Sequence, residues 1–94
     1  MITVTVLRET ATAWIVVCLE TDENLAPEVS HYWCTWRGNA SMRVPDSWHE
    51  ADHGREWATS AWHPVRFTSR EAAIAQAEKL AAPRRMLCLS RGMP

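Results

Sequence analysis

Residues 2–7 read I-T-V-T-V-L, with Ile2, Val4 and Val6 alternating against Thr3 and Thr5. That period of two marks a half-buried strand. The polar stretch 8–12 is a hairpin connection, and 13–19 (A-W-I-V-V-C-L) is apolar at consecutive positions. A strand apolar on both sides belongs in the middle of a sheet, covered on both faces or nearly so. An acidic loop over 20–28 follows. Residues 30–37 (S-H-Y-W-C-T-W-R) favour a strand, its faces dividing as His31, Trp33, Thr35 and Tyr32, Cys34, Trp36. One of these faces meets the core. Gly38-Asn39 forms a turn, and 40–44 makes a short return strand that Pro45 stops.

The stretch 45–63 has no clear periodicity. Asp46 or Ser47 can cap a short helix carrying Trp48 to His53, which Gly54 would break, and an irregular excursion fits as well. Its length points to function, because long loops in compact domains are seldom passive. Residues 65–67 then make a short strand leading into Thr68-Ser69-Arg70-Glu71, a T-x-x-E capping box. Phe67 stands where a hydrophobic staple would meet Ala72. A helix follows over 69–81 with an apolar stripe of Ala73, Ile74, Ala77, Leu80 and Ala81, and Pro83 ends it. The chain finishes with a strand over 85–90.

Strands in succession, then one helix, then a strand give an α+β fold: a four- to five-stranded, mainly antiparallel sheet with the helix on one face. With 94 residues the chain makes a single domain over 1–94. The segment F-T-S-R-E-A-A-I-A-Q-A-E-K at 67–79 resembles the strand-to-helix unit of an accessory-subunit family of respiratory complex I. The resemblance implies a capped helix seated on a sheet, and no function is carried from it.

Composition narrows the functional classes. A net charge of −1 gives no global attraction to nucleic acid or anionic membranes. No membrane span is expected, since the apolar run 13–19 is too short to cross a bilayer and lacks the basic flank of a leader. Charge is nevertheless uneven: residues 1–28 hold five acids against Arg8 alone, and residues 84–94 hold three arginines and no acid. Three cysteines with no framework spacing imply free thiols in a reducing, cytoplasmic setting.

The unusual chemistry lies in 31–63, which contains all four histidines, Cys34 and five of the six tryptophans. His31 with Cys34 (H-x2-C) and His49 with His53 (H-x3-H) are the candidate metal ligands, a set that would suit tetrahedral zinc. Strand parity opposes it, because residues three apart on a strand point to opposite faces. Cys34 beside a histidine has the elements of a nucleophile, without the Gly-rich elbow or oxyanion element that would complete one. Trp33, Trp36, Arg37 and Arg43 have the residue types of a single-strand nucleic-acid binder, but Asp46, Glu50, Asp52 and Glu56 oppose phosphate. The favoured expectation is a protein that is not an enzyme, needs no cofactor and binds another protein as a monomer or homodimer. Trp, Tyr and Arg dominate such interfaces. The expected contact residues are Arg43, Trp48, Arg55 and Trp57, with Glu20, Asp22 and Glu23 of the acidic loop. By size and style this matches the small inhibitors of phages and mobile elements, anti-CRISPR proteins among them.

Overall fold

A computed structural model describes residues 2–50, 60–82 and 87–88. The long alternating and apolar segments become β1 (Ile2–Thr10) and β2 (Ala13–Glu20), joined by a turn at Ala11 and Thr12. The aromatic segment becomes β3 (Glu28–Trp36). Two short strands follow, β4 (Ser47–Glu50) and β5 (Trp62–Pro64), then α1 (Arg70–Ala81) and the two-residue β6 (Leu87–Cys88). The sheet order is β4-β3-β2-β1-β6, and all pairings are antiparallel except β1 with β6. This is the α+β architecture that the pattern predicts.

Strand β5 is a wedge. Strands β2 and β3 pair only as far as Val17 and Tyr32, and beyond that point they part. The chain from Ala61 to Phe67 connects the two. The Arg37 amide donates to Ala61 and the Val65 amide to Trp33 on one side, while Phe67 exchanges both backbone bonds with Trp14 on the other. The side chains of Arg66 and Glu9 form a two-point ion pair, Nη2 to Oε2 at 3.2 Å, that ties this segment to β1.

Register assigns the side chains to faces. Val4, Val6, Trp14, Val16, Cys18, Trp33, Trp48 and Phe67 share the face under α1. Against them α1 sets Ala73, Ala77 and Ala81, all buried, with Leu80 half-buried. The opposite face holds Thr3, Thr5, Ile15, Val17 and Cys34, which are buried too. The hydroxyl-bearing side of β1 is therefore interior: Thr5 is 1% exposed, so the expectation of a half-buried strand fails for its first half. For β2 the expectation of burial on both faces holds, since Ile15, Val16, Val17 and Cys18 are buried in succession.

Four local expectations need correction. Residues 40–44 form turn and loop, and the return strand is Ser47–Glu50. Asp46 and Ser47 cap no helix: Ser47, Trp48 and His49 are strand residues aligned with Cys34, Trp33 and Tyr32. Pairing to an existing aromatic strand outweighs a capping residue's weak local preference. At α1 the cap is Ser69, not Thr68. Ser69 is extended, and its Oγ accepts from the Ala72 amide at 3.1 Å, which leaves Glu71 to favour the positive helix end by its charge alone. Of the strand expected at 65–67, only the Phe67 bridge to Trp14 exists, because the extended pairing comes earlier, at Trp62–Pro64.

Candidate functional site

The two faces of β3 separate residues that are close in sequence. His31 and Trp33 lie on the helix side, Cys34 and Trp36 on the other. The H-x2-C pair therefore cannot converge on one ion. His49 is on the Cys34 side, aligned with Tyr32, and His53 lies outside the described residues. Among the described residues no three of His, Cys, Asp and Glu gather as metal ligands would. Trp33 and Trp36 likewise point to opposite faces and form no common stacking platform. Cys34 is fully buried, out of reach of a substrate.

Trp48 packs edge-to-face on Trp33, with ring centroids 5.2 Å apart, over the helix-side core. Its indole N–H is buried without a hydrogen-bond partner among the described residues. An orphan donor of this kind costs about 1–3 kcal/mol, which the packing of the ring offsets. Much of Trp48 is committed to the interior, and Arg55 and Trp57 lie outside the described residues.

Register builds a second aromatic group on the opposite face. Trp36 pairs with Trp62 across the wedge, edge-to-face at 5.3 Å, and the His49 imidazole stacks on Trp62 at 4.0 Å and 31°. Ser47 Oγ lies 2.9 Å from His49 Nε2. A serine beside a histidine is the first half of a nucleophilic pair. Residues i and i+2 on a strand meet by geometry alone, however, so the contact by itself assigns no catalytic role. The contact with Trp62 has a measurable consequence. An imidazole in contact with an indole alters its emission, so His49→Gln is expected to change the tryptophan fluorescence of the folded protein. Emission identical to that of the wild type would show that the stack is absent in solution.

The loops at the two ends of β3 both carry exposed charge. Before β3, the turn Asp22–Leu25 closes by the Leu25 amide donating to Asp22 at 3.1 Å. A pocket of about 330 Å³ there is lined by Glu20, Asp22, Leu25, Ala26, Glu28 and Ser30. After β3, the Met42 amide donates to Asn39 at 3.0 Å, and the Asn39 side chain accepts from both the amide and the hydroxyl of Ser41. Leu25 and Met42 are 68% and 53% exposed, the two highest values for large hydrophobic residues among the described residues. Both escaped the sequence reading. The available signal was an isolated apolar residue closing a polar turn, in D-E-N-L and N-A-S-M. Glu20, Asp22, Glu23 and Arg43 were expected at a surface, and all four are partly or wholly exposed there.

No helix among the described residues is long and apolar enough to cross a membrane. Comparison with protein-family models, with curated proteins and with solved structures finds no match for this chain.

Proposed function

We propose that this chain is a non-catalytic binding domain that engages another protein, as an inhibitor or adaptor, through the loop between β2 and β3. One observation carries the reading: Leu25, the most exposed large hydrophobic residue among those described, stands at an acidic pocket walled by Glu20, Asp22 and Glu28. A lone exposed leucine is ordinary. A leucine held by a turn beside carboxylates offers an apolar anchor within a charged rim, the anatomy of a binding surface. Charges of one sign also steer encounter with a basic partner and reject acidic ones.

The surroundings suit a scaffold. The helix and the sheet bury most of the described apolar residues, Cys34 among them, and the placing of His31 opposite Cys34 and of Trp33 opposite Trp36 favours protein binding over a shared ion or a stacking platform. The narrower form of the proposal is a cytoplasmic inhibitor of the phage or mobile-element kind, and the genes flanking its own would decide that point. The contact surface is tested with the captured partner and the full chain. Asp22→Lys with Leu25→Ser is expected to weaken binding at least tenfold while leaving the circular dichroism spectrum unchanged. Unaltered affinity in that variant would remove the loop from the interface.

A further inference from the structure

The surface complementary to the acidic pocket is present on the same molecule. Residues 20–28 hold four acids and no base, whereas 37–43 hold Arg37 and Arg43 and no acid. Each loop ends a turn on an exposed apolar residue, Leu25 in one and Met42 in the other. None of Glu20, Asp22, Glu23, Arg37 and Arg43 makes an ion pair among the described residues. Strand β3 separates the loops by about 30 Å at ~3.4 Å per residue, so they cannot meet within one copy.

We propose that the chain associates with a second copy of itself, head to tail. Met42 of one copy enters the acidic pocket of the next, and Arg37 and Arg43 lie against Glu20, Asp22 and Glu23. The inference rests on the reading of the acidic pocket as a binding surface, and it names a second copy as an occupant. Two features favour that occupant. The charges are opposite in sign at the two ends, and the Met42 turn is already held by Asn39 and Ser41, which lowers the ordering cost of inserting the knob. The contact is heterologous: it uses different surfaces on the two partners, so it adds copies in series and does not close as a symmetric pair. Its area is well below the ~1,600 Å² of a standard interface, so the association is weak and depends on concentration. Exposed charges supply much of it, so salt dissolves it.

Sedimentation velocity on the purified full chain tests this over a concentration series at ~0.02 M and ~0.5 M salt, which bracket weak and strong screening. At low salt the weight-average mass is expected to climb with concentration past that of a dimer, and at high salt to return to that of one chain. Met42→Asp is expected to abolish the climb. The double variants Asp22→Arg/Glu23→Arg and Arg37→Glu/Arg43→Glu are each expected to stay monomeric alone and to associate when mixed. All of these positions are exposed loop residues, and unchanged circular dichroism confirms that the fold is kept. A wild-type chain that stays monomeric at low salt, or association that survives in each charge-reversed variant alone, overturns the proposal. If the wild type is monomeric but a foreign partner still requires Leu25, self-association is lost while the binding reading stands.

Discussion

Replacing Gly38 by alanine is expected to destabilise the protein by about 2 kcal/mol, within the usual range for overpacking. The position is exposed and belongs to no strand or helix, where most substitutions cost little. Here the Trp36 ring lies directly over the glycine. An added Cβ would stand 2.6 Å from Trp36 Cε2 and 2.8 Å from Cη2, and closer still to Cζ2. The ring is not free to swing away: its Nε1 donates to the Asn39 carbonyl at 3.2 Å, and its body meets Trp62 edge-to-face. Relief of the clash must therefore break that hydrogen bond, separate Trp36 from Trp62, or shift the 38–39 backbone. Urea unfolding of Gly38→Ala beside Arg37→Ala, whose backbone bond to Ala61 is retained, isolates the effect. Equal midpoints for the two variants would mean that Trp36 does not rest on Gly38.

The same residues show where the sequence could be read and where it could not. β1, β2 and α1 are legible because each is specified by its own period: alternation in the first, continuous apolar residues in the second, and a capped stripe from Ala73 to Ala81 in the third. β4 is not legible because S-W-H-E is too short to show a period, and the preceding Pro45-Asp46 suits a helix start equally well. Its state is decided by pairing with β3, a tertiary choice. β5 is hidden for a different reason. It ends in proline, which argues against a strand, yet Pro64 sits opposite Cys34 where the neighbouring bond, Val65 to Trp33, carries the ladder. The missing N–H is not needed there.

The candidate surfaces follow the same division. The acidic loop is legible from charge alone, whereas the contact of His49 with Trp62 depends on two registers, β4 against β3 and β5 against β3. No spacing rule along the chain links residues 49 and 62. The parity that divides His31 from Cys34 is the one geometric fact about 31–34 that sequence does provide. The two charged turns gain significance only when β3 is known to hold them at opposite ends.

Substituting leucine for Ala77 is expected to cost more than any single change on the outer side of the helix. Ala77 and Ala73 are fully buried one turn apart, against the Val4, Val16 and Cys18 surface of the sheet. Alanine there fixes how closely the helix axis approaches the strands. The larger side chain adds three carbon atoms to an interface without space for them, and forced rearrangement of that kind costs about 1–3 kcal/mol. Helix propensity cannot account for the loss, because leucine and alanine differ little on that scale. Ala75→Leu is the control: the residue is on the same helix but exposed, and its change is expected to stay within about 0.5 kcal/mol. In a domain of this size, ~1 kcal/mol corresponds to roughly 4–8 °C in Tm, so thermal unfolding separates the two variants clearly. Combining Ala73→Leu with Ala77→Leu should give a change different from the sum, since neighbours in one interface share the same displacement. If Ala77→Leu melted with Ala75→Leu, the alanine stripe would not be the seat of the helix. Assigning one face of the sheet to α1, and with it the placing of partner contacts in the end loops, would then have to be abandoned.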